Sequence, residues 1–314
     1  MSEDYLYPPK PTLEKVKVES NWGLTVFTIV LFIGVFLLVF SDQLKFVLCL
    51  ITVLFVHELG HYITMKYFGY ENVSMLFIPL MGAFVQGSKE KYSQRESFLV
   101  TVAGPFPGVI IGSSLLYFSV QLKSDFALTL SFLFIFLNLM NLLPLDPLDG
   151  GQLVKLFAKK HRDIVLMIFS LLSSLSLIAF GWFTSSWFVL AIGFFMAIRI
   201  RSMQRNIWLR KTMMEEGINY EISYDELSNR DYSLIKNILL SDVPGLKKYS
   251  EQGREIEDEI MASHVNAVLI APVVKDASMR FKFFIILAWI LLFVLPFLIY
   301  FLGNLNLDWY IENL

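Results

Sequence analysis

Cysteine occurs once in this sequence, as Cys49, and histidine only four times. A single thiol excludes an intramolecular disulfide and a metal site built mainly from cysteine. Within its apolar run, Cys49 reads as a small buried or lipid-facing hydrophobe. Charge is scarce too: 17% of the 314 residues are Asp, Glu, Lys or Arg, against roughly 25% in soluble domains. The formal net charge of −2 says little about partners, because distribution matters more than the sum; nucleic acid is not expected among them. The first twenty residues are polar and mixed in charge, without the basic-then-apolar order of a cleaved leader, so the first span is expected to be retained. Internal repeats and low-complexity runs are missing as well.

What is present is hydrocarbon: 55% of the residues are hydrophobic and the mean hydropathy is +0.58. The expected fold class is an all-α polytopic membrane protein with about seven transmembrane helices, a membrane-embedded β-hairpin and a small cytoplasmic helical module. Residues 1–21 form a cytoplasmic tail. A six-span membrane domain follows over 22–198, with spans at Trp22–Phe40, Phe46–Met65, Phe98–Val120, Ala127–Leu143, Ile164–Phe180 and Trp187–Ile198. Residues 199–281 form the module, with one helix running from a capping box at Ser223-Tyr224-Asp225-Glu226 to Leu240, a turn at Pro244-Gly245, and a second helix over Glu251–Leu269. Residues 282–314 hold the last span, Phe283–Leu302, and a tail. Val73–Gly87 is apolar but broken by Pro79 and Gly82, too short to span; its β-branched and aromatic content suggests a hairpin dipping into the membrane, or else an interfacial connector. Lys and Arg flank one set of span ends, and only Lys45 and Lys123 the other, which places the N-terminus in the cytoplasm.

The second span contains His57-Glu58-Leu59-Gly60-His61. On a helix, positions i and i+4 share one face, so both imidazoles can point at one metal ion while Glu58 takes a proton from water beside it. Ionisable groups in a span are a functional signal, because idle charge there is unfavourable. Counted from Lys66 at 1.5 Å per residue, His61 lies about 8 Å and His57 about 14 Å below the cytoplasmic face. A catalytic zinc site needs a third protein ligand. The candidates are Glu71, Asp146 and Asp149. Asp149 is preferred, because it leaves a broken, proline-containing segment on the same membrane side and Gly150-Gly151 allows close helix approach. The competing reading of Asp149 is an N-cap for the next helix, with Gln152 completing the pattern. Asn138 reads as a cross-helix hydrogen bond, His161 and His264 as solvated residues, and Arg199–Lys211 as a topology and headgroup signal.

HELGH in a span, followed by NLLPLDPLDGG at the end of another, resembles the site-2 protease family of intramembrane zinc metalloproteases. The paired signatures are His57–His61 and Asn141–Gly150, within a region of about 44–160. The resemblance implies one Zn2+ per chain, held by His57, His61 and Asp149, with Glu58 as general base and Asn141 steadying the substrate carbonyl or oxyanion. It implies that MGAFVQG is the family's membrane-embedded hairpin, holding substrate along Gly82, Ala83, Phe84 and Val85 as an added strand, and that AGPFPG is its glycine-proline motif. This chain departs from the family in carrying Asp146 where many members have Pro, and Gly108 or Pro107 where many have Asn. No PDZ insertion fits, and 199–281 is too short and too helical for a pair of CBS modules. The implied activity is an intramembrane zinc endopeptidase acting on transmembrane protein substrates within the lipid bilayer, placed in the plasma membrane of a prokaryote with its site towards the cytoplasm. A transporter or a non-catalytic zinc-binding scaffold is the alternative; the first should show polar groups towards both faces, and the second has no use for Glu58. Oligomeric state carries no signal in the sequence.

Overall fold

The computed structural model describes residues 6–13, 22–39, 43–79, 82–89, 91–145, 148–157, 162–252, 256–270 and 272–306. It is mostly helical and divides into two compact units.

The unit that carries HELGH comprises Lys17–Arg162 and Lys275–Leu314. It opens with helix α1 (Trp22–Val39) and α2 (Leu44–Tyr67). Gly69 ends α2 because its φ of +73° lets the Gly69 and Tyr70 amides turn back onto the Lys66 and Met65 carbonyls, the helix-stop geometry that favours glycine. Strands β1 (Glu71–Ile78) and β2 (Gly82–Ser88) form the expected hairpin. They pair antiparallel with Met75 opposite Val85 and Ile78 opposite Gly82, and the register shifts between Glu71 and Ser74. The outer edge of β1 is covered by α1: the Thr25 hydroxyl donates to the Met75 carbonyl at 2.7 Å, and the Phe77 amide donates to the Thr28 hydroxyl at 3.3 Å. Phe32, Val47, Ile51, Met75 and Phe77 close the interface between α1, α2 and the hairpin.

The span expected at Phe98–Val120 is a single apolar stretch, Gln94–Leu122, made of α3 (Gln94–Ala103) and α4 (Pro105–Leu122) with Gly104 between them. Ser93 caps α3 by accepting from the Glu96 amide. Pro105 occupies the first turn of α4, where a missing N–H leaves no bond unmade. A tight turn at Lys123 and Ser124 leads into α5 (Asp125–Asn141), and Ser124 caps α5 on the Ala127 amide. α4 and α5 pack at backbone distance because Gly112 lies under Phe134 and Ile135. The Ser131 hydroxyl donates to the Gly112 carbonyl at 2.8 Å. The short helix α6 (Asp149–Phe157) folds back against the end of α5, where a Cβ on Gly150 would fall 2.1 Å from the Leu142 carbonyl oxygen. Leu142 also accepts from the Trp289 indole, on the last helix of this unit, at 3.0 Å.

The other unit comprises Met1–Val16 and Asp163–Val274. In it α7 (Arg162–Phe183) and α8 (Trp187–Glu215) form a hairpin, held close where the Ser174 hydroxyl donates to the Gly193 carbonyl. Beyond α8 the described residues of the polar stretch form three short helices, not two: α9 (Asn229–Asp242), α10 (Pro244–Glu251) and α11 (Asp258–Val268). The expected capping box at Ser223 is a turn; Ser228 caps α9 instead, accepting from the Asp231 amide. Pro244 opens α10, because proline is tolerated in a first helical turn. The core of this unit gathers Leu209, Met213, Ile235, Leu239, Met261 and Val265. Residues 6–13 dock on it through Lys10, whose ammonium donates to the Tyr224, Asp225 and Leu227 carbonyls. α12 (Met279–Leu302) returns to the first unit with Pro296 inside it.

Among the described residues four helices are long and apolar enough to cross a membrane: Leu44–Tyr67, Gln94–Leu122, Ile164–Phe183 and Met279–Leu302. Two shorter apolar helices, Trp22–Leu38 and Asp125–Asn141, coincide with the expected first and fourth spans. The expected sixth lies in the first part of α8.

Tyr232 is 4% exposed, and its hydroxyl finds no hydrogen-bond partner among the described residues. Burial, then the neighbouring Tyr224 phenol and Asp258 carboxylate, push its pKa up to about 12. An unfolded tyrosine titrates near 10. Above that pH the unfolded chain therefore loses the proton first, and stability falls as pH rises from about 10 to about 12. Tyr232→Phe is expected to leave the thermal midpoint at pH 7 unchanged or raised by the equivalent of up to ~1 kcal/mol, and to shrink the alkaline loss. Circular-dichroism melts of the two proteins across that range check both.

Candidate metal centre

α2 places His57 and His61 on one face, as the i,i+4 spacing requires. Both are buried, at 5% and 8% exposure, and Glu58 between them is 6% exposed. Asp149, in the first turn of α6, projects into the same place. Its Oδ2 lies 3.1 Å from His57 Nε2 and 3.4 Å from His61 Nε2. The two Nε2 atoms are 3.2 Å apart. Among the described residues, these three form the only group of His, Cys, Asp or Glu side chains arranged to hold a metal ion.

The outer nitrogens decide what the inner ones can do. His61 Nδ1 donates to the Val100 carbonyl at 2.7 Å, and His57 Nδ1 pairs with Asn138 Oδ1 at 2.8 Å. With Nδ1 carrying the proton, each ring turns a bare lone pair inward. Two imidazole lone pairs and a carboxylate then face one another with no donor between them, and Asp149 Oδ2 is buried without a hydrogen-bond partner. Such a group is unfavourable unless a cation sits among the lone pairs. A tetrahedral ion with ligands at about 2.0–2.1 Å sets those atoms roughly 3.3 Å apart, which the observed triangle matches. The residues present fit a divalent metal of the imidazole-and-carboxylate class.

Glycines make this approach possible. A Cβ on Gly60 would fall 2.0 Å from the Ala103 carbonyl oxygen, and one on Gly104 would fall 2.2 Å from His61 Nε2. α2 therefore crosses the α3–α4 junction at backbone contact, and Gly104 leaves room for the His61 ring. Glu58 lies within electrostatic reach of His61, His57 and Asp149, and its carboxylate faces the backbone N–H of Val85 in β2. The free side of β2 is thus turned to the site.

Of the residues singled out in the sequence, His57, Glu58, His61 and Asp149 are brought together. Asn141 ends α5, one turn beyond Asn138, and is half-buried. Gly82, Ala83, Phe84 and Val85 lie on β2 opposite Ile78, Phe77, Leu76 and Met75. Glu71 starts β1 as an exposed residue paired with Ser88 and does not join the cluster. Asp146 and His161 lie outside the described residues. His264 is exposed, with Nδ1 bonded to the Ile260 carbonyl of its own helix. Asn138 does bond across helices, but its partner is a site histidine. That partner was not legible in the sequence, because i,i+4 logic stops at one helix.

Residues 45–129 match the model of Peptidase family M50. Over 136 residues the chain is 31% identical to Stage IV sporulation protein FB of Bacillus subtilis (strain 168), an alignment covering 39% of this chain and 46% of that protein. Over 122 residues it is 30% identical to zinc metalloprotease MJ0392 of Methanocaldococcus jannaschii, covering 37% of this chain and 35% of that protein. The chain thus spans less than half the length of these curated relatives. Among solved structures, the site-2 protease from Methanocaldococcus jannaschii aligns over 57% of this chain and 86% of its own, with a TM-score of 0.41 and 23% identity. The expected resemblance to the site-2 protease family is borne out. The family-model match includes His57, Glu58 and His61 but ends before Asn141 and Asp149.

Gly104→Val should displace the His61 ring and weaken divalent-metal binding by at least about tenfold, whereas Gly34→Ala on α1, where a Cβ meets nothing within 4 Å, should leave it unchanged. Metal affinity measured by chelator competition on the purified protein checks the pair.

Proposed function

We propose that this chain is an intramembrane zinc endopeptidase of the site-2 protease type, hydrolysing a peptide bond within or near the transmembrane segment of membrane-anchored proteins. The observation that carries the reading is the triangle of His57 Nε2, His61 Nε2 and Asp149 Oδ2, with edges of 3.1 to 3.4 Å, beside a buried glutamate on an apolar helix. The likeness to Peptidase family M50 over residues 45–129 supports it, as do relatives whose names include a zinc metalloprotease.

His57, His61 and Asp149 would hold one Zn2+. Bound there, zinc supplies Lewis acidity and makes water nucleophilic near neutral pH. Glu58 takes the proton from the attacking water and returns it to the leaving amine. Its burial keeps bulk water from competing for that proton. Asn141 sits at the end of α5 with a side-chain amide able to donate to the developing oxyanion, an interaction worth up to about 3 kcal/mol.

Peptide hydrolysis needs an extended substrate, because a helix ties its carbonyls into internal bonds. β1 is covered by α1, so β2 offers the remaining edge. A substrate strand along Gly82–Val85 would have its amides paired and its scissile carbonyl presented next to Glu58. This is recognition through the backbone, which tolerates different substrate side chains.

The rest of the reading follows the charge pattern. Seven spans with a cytoplasmic N-terminus put HELGH and the segment after Asn141 on the cytoplasmic side of a prokaryotic plasma membrane. Residues 22–198 would be the membrane domain, 199–281 a cytoplasmic module and 282–314 the last span and tail.

Glu58→Gln should retain about one zinc per chain and lose cleavage of a membrane-inserted single-span peptide by at least about 10³-fold, since the proton acceptor is gone while the ligands remain. Asp149→Asn should lower both zinc content and cleavage. Undiminished cleavage by Glu58→Gln in reconstituted vesicles would remove the mechanism.

A further inference from the structure

We infer that Asn138 is the positioning residue for His57: its carboxamide sets the imidazole tautomer and rotation that turn Nε2 into the metal triangle. The inference rests on the zinc reading above for its purpose, and on geometry for its content.

Asn138 is fully buried, at 0% exposure. Its two ends are not interchangeable. Nδ2 donates to the Phe134 carbonyl at 2.7 Å, a contact only the NH2 end can make. The Oδ1 end is thereby left facing His57 Nδ1 at 2.8 Å. A carbonyl oxygen only accepts, so Nδ1 carries a proton, and in the neutral ring Nε2 is then the bare nitrogen. The amide is held from behind as well. A Cβ on Gly108 would fall 2.2 Å from Nδ2 and 2.4 Å from Oδ1, so the space Asn138 occupies exists only because position 108 has no side chain. The chain of constraint runs from Gly108 on α4, through Asn138 on α5, to His57 on α2.

The two site histidines are oriented by different means. His61 Nδ1 donates to a backbone carbonyl, that of Val100, which no substitution can delete. His57 depends on a side chain. Both acceptors are neutral, so neither adds negative charge behind the ligand, unlike the carboxylate partners common behind metal-bound imidazoles. Asn138 does not touch the triangle. It acts through His57, and removing it would free the ring to rotate or to carry its proton on Nε2, where it blocks the metal.

The test uses the protein in detergent micelles, with Asn138→Leu, which keeps the branched shape without polar atoms, and Asn138→Asp, which keeps an acceptor. Zinc affinity is measured by chelator competition. The His57 tautomer is read from 15N spectra of histidine-labelled, metal-free protein, where only four histidines give signals. We expect wild type to show His57 protonated at Nδ1. We expect Asn138→Leu to lose that preference and bind zinc about 10- to 100-fold more weakly, and Asn138→Asp to recover zinc binding to within a few-fold of wild type. Should Asn138→Leu fail to fold, Asn138→Ala carries the same expectation without crowding Gly108. Wild-type zinc affinity together with an unchanged His57 tautomer in the Leu or Ala variant would overturn the assignment, as would a wild-type His57 protonated at Nε2 alone. A wild type that shows the Nδ1 tautomer yet takes up no zinc would instead remove the zinc reading and leave the positioning intact.

Discussion

Three electron-pair donors converge within 3.4 Å of one another in a buried place, and the membrane unit is arranged around holding them there. Two imidazole nitrogens and a carboxylate oxygen repel each other in a low-dielectric setting unless a cation lies among them. The unit meets this by fixing each ligand from outside. Val100 holds His61, Asn138 holds His57, and the fold of α6 onto the end of α5 brings Asp149 in. None of these supports is itself charged, so the fixed negative charge of the site comes from Asp149 and the neighbouring Glu58.

The second constraint is distance between backbones. Imidazole rings are short-armed, so α2, α4, α5 and α6 must meet almost at van der Waals contact for the ligands to touch. Gly60 against Ala103, Gly104 against His61, Gly108 against Asn138 and Gly150 against the Leu142 carbonyl achieve this. Close approach through small residues is the usual way helices pack where lipid supplies no hydrophobic drive between them. Each of these glycines stands where a methyl group would collide, so their value is space, not flexibility. The hairpin follows the same logic from the other side: α1 satisfies the outer edge of β1 with threonine hydroxyls, which leaves β2 as the edge that faces Glu58.

Much of this was legible in the chain. The i,i+4 spacing of HELGH determines a shared face whatever surrounds it. The break around Pro79 and Gly82 with β-branched flanks excluded a span and left a hairpin or a connector, and the structure forms the hairpin. Asp149 before two glycines was a reasonable third ligand, and the structure puts it with the histidines while leaving Glu71 on an exposed strand end. The polar module was read less well. A capping box at Ser223 is a local pattern that competes with others, and the cap is Ser228, at the start of a helix that buries Tyr232, Ile235 and Leu239. Pro244 was read as a turn, although proline in a first helical turn is equally permitted.

By itself the sequence determined the hydrocarbon character of the chain, the two histidines on one helical face with the glutamate beside them, and the order in which the motifs occur, because these depend on composition and on a fixed helical period. Only the tertiary structure decided what stands behind each ligand. Which carbonyl orients His61, which amide orients His57 and which glycine vacates the space for each are contacts between helices far apart in the chain, and a pairing of that kind has no period to be read from.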